Sequence, residues 1–141
     1  MSTTPPAAVT LTVEGVRVES ESNRRDAHWA VRAKRARMQG DLVRLALSQI
    51  DRKPFAAAPR LRVTFQRIMG KRGRAFDSGD NLNGSFKFVR DVVARVFAVD
   101  DGDPWWDWKY DPEQVRGKEY GVRIRFEAVP AADAAGATRE G

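Results

Sequence analysis

Apolar and polar residues alternate through Val9, Leu11, Val13, Val16 and Val18, with Gly15 breaking the alternation. A period of two predicts a strand over residues 9–18, and the glycine predicts a bend or bulge within it. Residues 20–25 read as a polar loop. Over residues 26–50 the period changes to three and four, through Met38, Leu42, Leu45, Ala46 and Gln49, which predicts an amphipathic helix. Its second half is the packing half, because Arg32, Lys34, Arg35 and Arg37 charge the first. Pro54 and Pro59 mark a connection. Leu61, Val63 and Phe65 then alternate with Arg62 and Thr64 as a second, half-buried strand, and Gly70 and Gly73 punctuate a mobile basic loop.

Leu82, Phe86, Val89, Val93, Val96 and Phe97 fall on one face of a second amphipathic helix of about four turns. It leads into Val99-Asp100-Asp101-Gly102-Asp103-Pro104, a tight acidic turn. Residues 105–110 and 120–129 are rich in aromatic and β-branched side chains, with Gly117 between them, which predicts a closing hairpin. The expected order is β-α-β-α-β-β, an α+β fold with a mixed β-sheet packed against two main helices. Residues 1–8 and 130–141 are rich in Pro, Ala, Gly and Thr without periodicity, so mobile ends are expected around a working domain at 9–129.

A chain of 141 residues suits one core and one site. Its 25 Lys and Arg against 19 Asp and Glu give +6, a field that attracts polyanions and makes nucleic acid the first partner to consider. Cysteine is absent, which excludes disulfides, thiolate zinc sites and cysteine nucleophiles, and His28 alone cannot build a histidine zinc site. No basic leader with an apolar core opens the chain, and no run reaches the roughly 20 apolar residues a bilayer span needs. A soluble, cytoplasmic protein is the expectation.

Against this basic background, Asp77, Asp80, Asp91, Asp100, Asp101 and Asp103 cluster in one short stretch. Crowded carboxylates repel, so a positive partner is implied. Oxygen ligands without sulfur or imidazole suit Mg²⁺ or Mn²⁺, ions commonly held by one or two carboxylates plus substrate phosphates. Such an ion can activate water against a phosphodiester. The residues alone leave a second reading: Asp80 before Asn81 and Leu82 has the form of an N-cap, and Asp100 to Pro104 that of turn chemistry.

Asp80-Asn81-Leu82, Phe86-Lys87, Arg90-Asp91 and Asp100-Asp101-Gly102-Asp103-Pro104, in that order, resemble the signature of the RusA-type Holliday junction resolvases, and most closely its phage and prophage branch. The resemblance covers residues 60–127 well and the rest only in general layout. It implies a Mg²⁺-dependent endodeoxyribonuclease, with Mn²⁺ an alternative ion, acting as a homodimer on four-way junctions or related branched DNA. Asp80 and Asp101 would be catalytic metal ligands, Lys87 would meet the scissile phosphate, and Asp77 or Asp100 would complete the ligand set. Two departures stand out. Ser78 and Gly79 precede Asp80 where the family commonly carries Asp-x-Asp, and Lys87 lies further along the chain than in the smaller resolvases. At about 100° per residue, positions 80, 84, 87 and 91 still share one face within roughly 60°. A solvent-side ion pair between Lys87 and Asp91 would occupy the same stripe. Loss of an acid also admits a non-catalytic binder of branched DNA on the same fold.

Arg24, Arg25, Arg32, Lys34, Arg35 and Arg37 form one basic group, and Arg67, Lys71, Arg72 and Arg74 form another immediately before the acids. Carboxylates that must meet a phosphate need such flanks, which fix backbone position and not base sequence. The same residues also read as a solvated helix face and a loop. On a strand, Trp106 and Trp108 share a face and Trp105 takes the other, which favours core or dimer packing over base stacking.

Overall fold

The computed structural model of the chain describes residues 7–18, 29–71 and 82–130. Its elements are β1 (Ala8–Glu14), α1 (Trp29–Ser48), α2 (Lys53–Ala56), β2 (Arg60–Met69), α3 (Leu82–Ser85), α4 (Lys87–Phe97), β3 (Trp106–Tyr110), β4 (Val115–Arg116) and β5 (Gly121–Val129). They form an α+β fold with a mixed five-stranded sheet in the order β1-β5-β2-β3, β4 continuing along β2 beyond β3. Strand β5 is antiparallel to both β1 and β2, whereas β3 and β4 run parallel to β2.

Alternation decides which face is covered. Leu61, Val63 and Phe65 of β2, with Val122, Ile124 and Phe126 of β5, point into one buried cluster with Val43 and Leu47 of α1 and Val89 and Val93 of α4. Each such side chain contributes about 1.5–3 kcal/mol when fully buried. The opposite face is polar. There Arg62 pairs with Asp107 at 2.8 Å, Arg125 with Glu127 at 3.2 Å, and Arg123 donates to Gln66 at 2.9 Å. The bend expected at Gly15 is present, with φ +86° and the Gly15 N–H donating to Tyr120 O at 2.9 Å. Beyond it Val16 and Val18 remain buried without belonging to a strand.

Three local expectations are overturned. The predicted stripe on α1 is turned outward: Met38 and Leu45 are 60% and 62% exposed and Leu42 is exposed, while Gln39, Gly40, Val43 and Leu47 face inward. Val43 and Leu47, fully buried in the core, set the inward face, and a Cβ at Gly40 would stand in ordinary contact with Val92 Cγ2 at 3.6 Å. The closing hairpin does not form. Trp106, Trp108 and Tyr110 of β3 instead lie in parallel register with Leu61, Val63 and Phe65, reached by the crossover through α4, and β5 takes the sheet interior. The connection at Pro54 contains α2, with the proline in its first turn and Phe55 buried at 6.0 Å centroid distance from Phe126. The helix over residues 82–97 is present but interrupted at Phe86, behind the weak helix formers Asn83, Gly84 and Ser85.

Candidate functional site

Helix α4 ends on Ala98, held left-handed at φ 57°. Ala98 N–H donates to Arg95 O and Val99 N–H to Ala94 O, the Schellman pair that closes a helix C-terminus. The chain then turns through the acids: Asp103 N–H donates to Asp100 O at 3.0 Å, and Asp103 Oδ1 accepts the Trp105 N–H at 2.8 Å. The tryptophans of this region hold the turn from the sheet side. Trp106 Nε1 donates to Val99 O at 3.3 Å and Trp108 Nε1 to Asp101 O at 2.8 Å. As the alternation required, Trp106 and Trp108 share a face, stacked at 4.4 Å, and Phe65 stacks on Trp108 at 5.8 Å. Trp105 Nε1 donates to Ala58 O at 2.8 Å, so all three indoles are committed to packing and to backbone carbonyls.

Asp91, Arg95, Ala98, Asp100 and Asp101 line one open cleft of about 320 Å³ at this end of α4. Burial first, and the Asp101 carboxylate second, hold the Asp91 carboxyl above the ordinary carboxylate range, and Arg90, Lys87 and Arg95 offset this only in part. Lys87 and Arg95 stand one turn before and one turn after Asp91 on the helix. Arg90 Nη1 donates to Tyr110 OH at 2.9 Å, and its Nε faces Asp101 Oδ2 at 3.6 Å. Burial likewise raises the Tyr110 hydroxyl above its ordinary value, against the lowering influence of Arg90. Asp100 and Asp101 follow a helix C-terminus, where the macrodipole disfavours negative charge.

The structure therefore brings Asp91, Asp100 and Asp101 to one cleft, with exposed Lys87 on the helix that carries Asp91. Asp77 and Asp80 lie outside the described residues, as do Arg24, Arg25, Arg72 and Arg74. Of Arg32 only the backbone, within α1, is described. Lys34 and Arg37 are exposed on α1 and Arg35 is half-buried. Arg67 is engaged within the fold, donating through Nε to Val18 O at 3.1 Å and through Nη1 to Gln114 Oε1 at 2.8 Å. Lys71 is exposed, and its carbonyl accepts Arg116 Nη1 at 2.9 Å.

Among the described residues no three His, Asp or Glu side chains are gathered as a metal cage. The donor chemistry at the cleft nonetheless fits Mg²⁺ or Mn²⁺, for which one or two carboxylates and substrate oxygens suffice. Sequence reasoning named Arg90 within the Arg90-Asp91 motif without giving it a role, and missed Arg95, Tyr110 and the indole donors. Arg95 left a local trace as well, as a cation one turn after Asp91. Among the described residues no helix is long and apolar enough to cross a membrane. No known family profile matches the chain, and a search of curated proteins returns no significant match.

Proposed function

We propose that the protein is a Mg²⁺- or Mn²⁺-dependent DNA endonuclease of the RusA type, acting as a homodimer on four-way junctions or related branched DNA. The observation that carries this reading is that Asp91, Asp100 and Asp101 line one open cleft, beside a helix C-terminus that disfavours negative charge, in a chain of net charge +6. Asp101 and Asp80, with Asp77 or Asp100, would hold the ion. When bound, such an ion lowers the pKa of attacking water and withdraws charge from the phosphodiester. Lys87, exposed on α4, offers its ammonium to the scissile phosphate and steadies the charge that grows there. Exposed Lys34, Arg37 and Lys71 add positive charge for the flanking backbone. Trp108 holds the Asp101 main chain from the sheet and limits how far the turn can swing during the reaction.

The test is cleavage of a labelled four-way junction beside flaps, forks and linear duplex, with Mg²⁺, Mn²⁺ or EDTA. Symmetric nicking of the junction that needs metal, and is lost in Asp80→Asn and Asp101→Asn while binding persists, is the expected result. Preferred cutting of flaps or forks would keep the chemistry and change the substrate. Junction binding without cutting in either metal would leave a non-catalytic binder, a reading motivated by Gly79 where the related nucleases commonly carry an acid.

A further inference from the structure

On the metal-site reading above, we propose that Arg90 is a positioning residue for Asp101, and that Tyr110 is the group that holds Arg90 in place. The Arg90 side chain is 17% exposed, against 37% for Asp101, so the guanidinium sits beneath the carboxylate and not beside it in solvent. Its Nη1 donates to Tyr110 OH at 2.9 Å, while Nε lies 3.6 Å from Asp101 Oδ2, an ion pair longer than a hydrogen bond. The Tyr110 ring is in turn wedged against Phe65 and Phe86, at 5.9 Å and 6.0 Å. A continuous line of packed groups thus runs from the sheet core to one carboxylate oxygen.

Asp101 is anchored a second time through its carbonyl, which accepts Trp108 Nε1. Main chain and side chain are held by separate groups, Trp108 of β3 and Arg90 of α4, the latter steadied by Tyr110 of β3. Asp100, its neighbour, is exposed. Arg90 suits this task because a planar, delocalised guanidinium can donate to the Tyr110 hydroxyl while its charge stays within ion-pair reach of the Asp101 carboxylate; a lysine ammonium, a compact point charge, would have to choose between them. Lys87, exposed on the same helix, is placed for substrate instead. Groups that orient a metal-binding carboxylate typically change metal affinity by 10–100-fold when removed.

Two variants leave the net charge unchanged: Tyr110→Phe deletes one hydroxyl, and Arg90→Lys keeps the charge and loses the planar guanidinium. Calorimetric titration of the full-length protein with Mn²⁺ should show each binding about tenfold more weakly than the native chain. The half-saturating Mn²⁺ concentration for junction cleavage should rise by the same factor. Variants that bind Mn²⁺ within about twofold of native would overturn the proposal. A metal-free arm separates this from failure of the metal reading itself. In ¹⁵N-labelled protein the Arg90 Nε–H resonance, assigned by its loss in Arg90→Lys, should be protected and should move in both Tyr110→Phe and Asp101→Asn. If Asp101→Asn leaves it unmoved, Arg90 does not hold Asp101, whatever Mn²⁺ does. If native protein ignores Mn²⁺ but the resonance moves, the metal reading falls and the clamp on Asp101 stands.

Discussion

Ala98 is the described non-glycine residue with a left-handed backbone, and it stands where α4 gives way to the acidic turn. Left-handed geometry costs an L-residue about 1–2 kcal/mol through the clash of its Cβ with the backbone, and glycine avoids it. The Ala98 methyl is exposed, so Ala98→Gly gives up no core packing. Glycine adds unfolded-chain entropy worth about 0.4–1 kcal/mol in the opposite direction. The net expectation is a stabilisation of about 0.5–1 kcal/mol, or roughly 2–4 °C in Tm for a chain of this size. Urea denaturation followed by tryptophan fluorescence reads it, provided the slope is unchanged between variants, so that a shifted midpoint means shifted stability. Ala98→Asn should fall between glycine and alanine, and Ala98→Val should destabilise, because a branched Cβ tolerates this region worst. A lower midpoint for Ala98→Gly, or a rank order that does not follow left-handed tolerance, would refute the reasoning.

Asp91 titrates with a raised pKa in the folded protein, so between its unfolded and folded values the native state binds the proton more tightly. Its contribution to stability therefore falls as pH rises through that window; Asp91→Asn should raise Tm at pH 7 and lose that advantage near pH 3, in parallel thermal melts. Phe65, fully buried and stacked on Phe86, Trp108 and Tyr110, should lose about 3–5 kcal/mol on Phe65→Ala, measured by chemical denaturation. Leu45→Gln, on the outward stripe of α1, should change stability by no more than about 0.5 kcal/mol, whereas an inward-facing Leu45 would lose several times that. Lys34→Gln with Arg37→Gln should weaken junction binding and flatten its dependence on salt by about one unit of slope for each phosphate no longer neutralised, read by fluorescence anisotropy.

What local pattern records, the sequence made legible. The alternation of Leu61, Val63 and Phe65 marks β2, and Phe86, Val89 and Val93 mark the inner face of α4, because burial on one face imposes a period. The acidic turn was equally visible as Asp-Asp-Gly-Asp-Pro. The orientation of α1 was not, since hydropathy favours Met38, Leu42 and Leu45 while tertiary packing turns Gln39, Gly40, Val43 and Leu47 inward. Nor was the place of β3: a parallel partner reached across a helix leaves no turn signal, and the residues before β5 imitate a hairpin connection. Arg90 and Tyr110 meet across twenty positions of sequence, so their hydrogen bond exists only once the crossover has formed. The candidate site was thus readable as a set of acids, and not as the cations and aromatic groups that support them.

The strands beside β2 also govern how molecules of this protein can meet. On that margin the run is discontinuous, five residues of β3 and then two of β4, separated by a stretch containing Pro112. An incoming chain seeking to extend the sheet there would find neither a long row of backbone donors and acceptors nor a flat template, and Lys109 projects beside it. Edge-to-edge polymerisation is blunted on this side by construction. Among the described residues, the other margin that presents a strand edge for backbone pairing is that of β1.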